Sequence, residues 1–228
     1  YVIKEMIERH DPELVVLDVF CVFFPEAYFS PARFHQAIDN FPLSRNKIEA
    51  IYDLAYEDRV EYILNYIIYH VRWKNITLHD FTVYSQFNET YQLLNGTTPF
   101  YESFAPVPLS SKADIPEIPA LYLKKIVDLC KETNTELLLT VIPYRADVDN
   151  NSTSAVLQQQ MFNTVAELAE SWGVDFFNGL HYLEEMEFDF VTDMVEYSHV
   201  NVRGTVKISS FYGKYLSTRY DLPDRSSD

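Results

Sequence analysis

Glycine is scarce in this chain, with only five among 228 residues. Cradles for nucleotide phosphates depend on glycine-rich turns, and the sequence contains neither a G-x-G-x-x-G nor a P-loop pattern. Long apolar runs are missing too, since no stretch approaches the roughly 20 residues that span a bilayer. These gaps argue against nucleotide-phosphate binding and against a membrane-spanning segment in this sequence.

Basic residues are also few, at 18 against 34 acidic ones, which gives a formal net charge of −16. No Lys/Arg-rich stretch offers an electrostatic footprint for a phosphate backbone, so we expect no nucleic-acid partner. The two cysteines, Cys21 and Cys130, lie among apolar neighbours. We expect them to be small buried side chains and not a disulfide or a metal site.

Continuous apolar runs at 13–20, 137–142 and 174–177 predict strands. They lack period-2 alternation, which is typical of strands buried on both faces of a parallel sheet. Stripes of helical period lie before and between them, at 1–10, 57–71, 119–132, 153–172 and 203–217. The alternation predicts one α/β domain over residues 1–228 with a doubly wound, mainly parallel sheet. Residues 73–116 fit no period and are expected to form an irregular, lid-like insertion.

Two helix details follow from the same patterns. Gly173 stands where a helix over 153–172 would end in a left-handed glycine. In the last helix, the stripe places Val206, Phe211, Tyr212 and Tyr215 inward, with Lys207 and Lys214 outward.

The most informative string runs from Phe188 to Gly204 and holds His199 three residues after Glu196. A carboxylate beside an imidazole fixes its tautomer and stabilises the imidazolium, as a His general base requires. Two other interpretations stay open. In the first, His199 only caps or decorates the start of a helix; in the second, a metal is bound by the set Asp189, Asp193, Glu196 and His199.

The string resembles the last block of SGNH (GDSL-type) ester hydrolases. It is closest to a bacterial envelope-associated subgroup related to D-alanyl-lipoteichoic-acid biosynthesis esterases. That subgroup closes with approximately T-D-F-Y-D-x-x-H-L-N-x-x-G-A-x-K, and residues 192–207 read T-D-M-V-E-Y-S-H-V-N-V-R-G-T-V-K. Other similar segments follow in collinear order: 15–19, 69–73, 78–81, 136–139 and 143–144.

The resemblance implies a flavodoxin-like three-layer α/β/α domain and a Ser-His-Asp/Glu acyl-enzyme mechanism without a cofactor or metal. His199 would be the general base, and Glu196 would take the place of the triad Asp, with Asp193 as a substitute. Asn201 would shape the turn that presents His199 and lie at the substrate. The substrate would be an acylated cell-envelope glycan or another small ester, in an extracytoplasmic compartment.

Two further segments carry candidate binding residues. Arg72 can pair with an anionic group and Trp73 can stack on a sugar, although His70 and Arg72 can equally satisfy the carbonyls of a helix end. Tyr144 and Arg145 follow a predicted strand at the expected site edge.

The chain departs from the family pattern where the nucleophile should be. None of its glycines precedes a serine in a G-x-S turn, and the G-x-N-D block is absent. We therefore expect the first strand, its serine and any membrane anchor to lie upstream of Tyr1, and this chain alone to hydrolyse esters poorly. The alternative is a non-catalytic binding or scaffold domain that retained the fold.

Overall fold

The computed structural model describes residues 1–23, 31–54, 59–64, 77–78, 109–144, 153–196 and 199–221. This part of the chain is mixed α/β. Its helices are α1 Val2–His10, α2 Pro31–Ile38, α3 Arg45–Leu54, α4 Arg59–Ile63, α5 Glu117–Glu132, α6 Thr153–Trp172, α7 Phe190–Asp193 and α8 Val202–Arg219. Its strands are β1 Leu14–Asp18, β2 Glu136–Val141, β3 Asp175–Asn178, β4 Met194–Glu196 and β5 His199–Val200. Short 3₁₀ helices cover Phe20–Phe23 and Gly179–Tyr182.

The main sheet is parallel, in the order β1-β2-β3, with Asp18 opposite Thr140 and Thr140 opposite Phe177. β2 is central, and residues 137–141 are all buried. The expectation of burial on both faces is therefore confirmed for β2. It is wrong for β1, where Val16 is 42% exposed, because β1 pairs with β2 alone among the described strands and lies at the sheet edge.

Helix α8 packs on the face of the sheet that carries Thr140 and Phe177. The Phe177 ring contacts Tyr212 and Tyr215 edge-to-face, with centroids 4.7 and 4.9 Å away, and the Tyr212 hydroxyl bonds the Thr140 hydroxyl. The predicted inward positions of these tyrosines are confirmed. The prediction for Val206 is wrong, since it is 60% exposed, and Lys207 points inward to a buried carboxylate.

Helix α6 supplies the buried side chains of Phe162, Val165 and Ala169, and it ends as predicted at Gly173 with φ +65°. Residues 109–113 lie along this helix. Asn163 donates to the carbonyl oxygens of Leu109 and Ser111. This end of the predicted 73–116 insertion is thus held on α6, and most of the remainder lies outside the described residues.

Helices α2, α3 and α4 form a second, smaller apolar cluster of Phe34, Ile38, Phe41, Ala50, Ile51 and Tyr62. α1 is tied to it by the Asn46 amide, which donates to Glu5 at 2.8 Å and to Glu8 at 2.7 Å. Of the two cysteines, Cys130 is buried as expected, whereas Cys21 is exposed at the end of β1. Among the described helices, none combines the length and apolarity needed to cross a membrane.

Candidate active site at the last hairpin

His199 lies on a short antiparallel hairpin directly before α8. β4 and β5 pair Met194 with Val200 and Glu196 with His199, with an irregularity in register between Met194 and Glu196. His199 is exposed to solvent. The backbone therefore sets Glu196 and His199 opposite each other, and His199 is accessible to solvent.

Asp193 lies beneath this hairpin and is fully buried. Its Oδ2 accepts from the Lys207 ammonium at 2.7 Å and from the Asp189 backbone N–H at 2.8 Å. The Arg203 Nε atom lies 3.6 Å from Oδ1. Because a buried carboxylate needs such partners, Asp193 serves here as an anchor between α7 and the first turns of α8.

Asn201 is buried as well and caps α8. Its side-chain amide donates to the carbonyl oxygens of Thr192 at 2.7 Å and Met194 at 3.3 Å. Its Oδ1 accepts from the Gly204 N–H at 3.1 Å, the usual bond of an N-cap. A substrate-binding role for Asn201 stays a prediction, and the recorded bonds give it a structural one.

Gly204 lets the start of α8 lie directly on α7. A Cβ at this position would sit 2.3 Å from the Asp193 carbonyl oxygen and 3.1 Å from the Phe188 ring. The same carbonyl oxygen accepts from the Asn201 N–H at 2.9 Å. We call Asp193, Asn201, Gly204 and Lys207 the α8 clamp; it fixes the helix that directly follows His199.

Tyr144 follows β2 but is only 3% exposed, and its ring packs edge-to-face on Phe162 at 4.9 Å. Its hydroxyl has no hydrogen-bond partner in the described part of the chain. Burial raises the pKa of this phenol, and the neighbouring Asn178 amide opposes the shift without reaching hydrogen-bond geometry. Substrate binding by Tyr144 therefore stays a prediction that would need the ring to become accessible.

The other predicted binding residues, Arg145, His70, Arg72 and Trp73, lie outside the described residues. Lys207 was not among the predicted site residues, although it stands in the family pattern. Helical periodicity alone places it outward, and only the buried Asp193 draws it in. The sequence signal that could have indicated this inward position is a lysine three residues after a glycine at the start of a helix.

Asp18 and Tyr212 were not predicted as site residues. Asp18 is the last residue of β1, and the Tyr212 hydroxyl reaches from α8 to Thr140 near the end of β2. Asp18 accepts from the Phe20 N–H at 2.7 Å. Asp18 is exposed to solvent, yet partial desolvation by surrounding atoms raises the pKa of its carboxyl group. Backbone hydrogen bonds oppose this shift. Burial likewise raises the pKa of the Tyr212 phenol. This edge of the sheet is where ligands bind in open α/β sheets.

The metal interpretation stays a prediction, because the side chain of Glu196, one of its four ligands, lies outside the described residues. Within the ranges that the structure describes, no group of three or more His, Cys, Asp or Glu side chains is placed to hold an ion. Asp189 instead accepts from the Val191 N–H at 2.8 Å and caps α7.

Comparison with known proteins adds no relative. No protein-family model matches the chain, and no curated protein or solved structure matches it significantly.

Proposed function

We propose that this chain forms an SGNH-type α/β domain, and that its function is ester hydrolysis or O-acyl transfer on acylated cell-envelope glycans. The three parallel strands would form part of a doubly wound sheet. A strand with the nucleophilic serine would pair with β1, at the edge that no described strand covers. The observation that carries the proposal is the backbone pairing of Glu196 with His199 across β4 and β5, in which His199 is exposed.

Directly opposed residues in an antiparallel pair have Cβ atoms about 4.5–5.5 Å apart. That spacing suits a carboxylate that orients an imidazole, and it favours Glu196 over Asp193, whose carboxylate is occupied by Lys207. Glutamate serves this role in Ser-His-Glu triads on α/β-hydrolase folds.

In this mechanism the serine oxygen attacks the ester carbonyl carbon while His199 takes the hydroxyl proton. Collapse of the tetrahedral intermediate breaks the ester C–O bond, and His199 returns the proton to the leaving alkoxide. Water, or a second alcohol, then attacks the acyl-serine in the same way. Glu196 stabilises the imidazolium in both steps. The α8 clamp holds the turn in place, as precise positioning of the base requires.

The glycan would be bound by the candidates that side-chain chemistry and sequence position suggest, namely His70, Arg72, Trp73, Tyr144 and Arg145. Arg72 and Arg145 would offset the repulsion between an anionic polymer and a chain of net charge −16. A neutral acylated glycan needs no such compensation and is the favoured substrate.

The test is an esterase assay on the protein together with any residues that its gene encodes ahead of Tyr1. Aryl acetates and an acetylated polysaccharide serve as substrates. His199→Ala should lower kcat/KM by about 100-fold or more, the usual contribution of a general base. Glu196→Gln should lower kcat with little change in KM. His10→Ala removes another exposed histidine, at the end of α1 and outside both proposed sites, and is the matched control. Equal rates for wild type and His199→Ala would refute the assignment.

The second candidate is a binding domain without catalysis, which the absence of a G-x-S turn favours. It predicts no hydrolysis by any version of the protein and retained binding of the acylated polysaccharide. His199→Ala would then leave the affinity unchanged.

A further inference from the structure

A cavity of about 610 Å³ lies along the open edge of β3. One wall is α6, the floor is β3 with the turn before it, and the far wall is the 3₁₀ helix Gly179–Tyr182. Its volume falls within the range of about 300–1,000 Å³ that is usual for small-molecule sites. No residue of the last hairpin lines it, so this cavity is separate from the proposed active site.

The cavity exists because small residues separate α6 from the β3 edge. Ala166 and Gly173 line it, and they leave the strand uncovered on this side. Phe177 packs under α8. Because successive side chains of a strand point to opposite faces, Phe176 points to the other face, toward α6. Phe177 is fully buried, whereas Phe176 is only partly buried. An aromatic ring is thus accessible from the cavity.

The polar lining combines carboxylates, amides and one imidazole. Glu170 and His181 are exposed at the rim. The Oδ2 atom of Asp175 accepts a hydrogen bond from the Tyr220 hydroxyl at 3.0 Å. The Asn163 amide nitrogen already serves two carbonyls, which leaves its oxygen as an acceptor. Asn178 is 4% exposed; its oxygen accepts from the Leu180 N–H at 3.0 Å, and its amide neighbours the Tyr144 hydroxyl.

The lining residues include two carboxylates and no lysine or arginine, although the Arg219 Nη1 atom lies 3.9 Å from Asp175 Oδ2. Two carboxylates against one partly exposed guanidinium do not favour an anion, and the lining offers several acceptors and an aromatic face. Hydroxyl groups donate well to carboxylates. The electron-rich face of an aromatic ring attracts the partly positive C–H bonds of a sugar.

We propose that the β3-edge cavity is a binding site for a neutral, hydroxyl-rich ligand, namely a short saccharide. The apolar side of one sugar ring lies on Phe176, and its hydroxyls donate to Glu170 and Asp175. The proposal does not require the protein to be a hydrolase, since the site is distinct from His199.

Isothermal titration and saturation-transfer NMR with cellotetraose and chitotetraose test this site on the whole chain. Sugar at about 10 mM detects the millimolar affinities that are expected for one or two ring contacts. Glu170→Ala should weaken binding about tenfold, the effect of losing one hydrogen bond to a charged group. Glu167→Ala is the matched control, because Glu167 lies on the same helix, pairs with Lys112 and does not line the cavity.

A tenfold loss in Glu170→Ala with unchanged affinity in Glu167→Ala supports the site. Equal affinities in all three proteins, or no binding of either sugar to the wild type, overturn it. Binding of a lysine tetrapeptide without sugar binding also overturns it, since the cavity would then select cations. Both substitutions place alanine, which favours helices, at exposed positions of α6. Thermal melting should therefore show that both variant proteins are folded.

Discussion

Replacing Gly204 by alanine should destabilise the protein although alanine favours helices. The new methyl group would lie 2.3 Å from the Asp193 carbonyl oxygen and 3.1 Å from the Phe188 ring. The carbonyl is backbone and cannot rotate away, so α8 must shift by about 1 Å to reach normal contact distances. That shift stretches the bond from the Asn201 N–H to the same oxygen, now 2.9 Å.

The magnitude follows from three contributions. Overpacking costs about 1–3 kcal/mol, and weakening one buried hydrogen bond costs about 0.5–1.5 kcal/mol. The gain in helix propensity returns about 1 kcal/mol. The net loss of unfolding free energy is then about 1–3 kcal/mol. In a chain of this length that lowers Tm by about 2–10 °C.

Gly213→Ala is the control within the same helix, because nothing lies within 4 Å of a Cβ at that position. It should raise the unfolding free energy by up to about 1 kcal/mol. Urea denaturation followed by circular dichroism, with Tm as a second readout, compares the two. If Gly204→Ala stabilises the protein as much as Gly213→Ala does, α8 does not rest on Asp193 and the clamp is refuted.

Four further substitutions test the site and the sheet. Lys207→Met leaves the buried Asp193 carboxylate with only the more distant Arg203 as a cation and should cost about 1–3 kcal/mol in urea denaturation, against no more than about 0.5 kcal/mol for Lys214→Met at an exposed position. Asn201→Asp keeps the helix cap but turns a carboxylate toward two carbonyls, so its Tm should fall; an unchanged Tm would mean that the cap alone matters. Tyr144→Phe removes a buried hydroxyl that has no partner among the described residues and should leave stability equal or higher by up to about 1 kcal/mol; a raised KM for ester substrates would show that the hydroxyl binds them. The raised pKa of Asp18 means that the folded state binds more protons than the unfolded one just above pH 3.8. The contribution of Asp18 to the free energy of unfolding is therefore present at low pH and is lost as the pH rises through the pKa of the folded state. Asp18→Asn should remove this pH dependence from urea denaturation curves.

Sequence patterns located the elements whose burial or backbone conformation can be inferred from consecutive residues. β2 was recognisable because its five consecutive apolar or small residues can only be buried on both faces. The end of α6 was recognisable because a left-handed residue there favours glycine, as the φ of Gly173 shows. These features depend on local geometry and on composition.

The remaining features depend on partners distant in sequence. Helix α3 was not predicted because its inner face carries Asn46 and Lys47, which are buried through bonds to α1 and to the Phe41 carbonyl. The same applies to Val206, which the apolar stripe of α8 placed inward. Its exposure follows from Lys207 turning toward Asp193, and no periodicity in a single helix reports on that contact.

The arrangement around His199 separates anchoring from chemistry. Asp193 is bound by Lys207 and by backbone, and both Lys207 and Gly204 belong to the helix that follows His199. Disturbing the clamp should therefore change stability and activity together, because it moves the turn as well as loosening the fold. Glu196 lies on β4 and is paired with His199 through the backbone, so we expect its replacement by glutamine to change activity alone. A dependence of both properties on Glu196 would mean that this residue, and not Asp193, holds the hairpin in place.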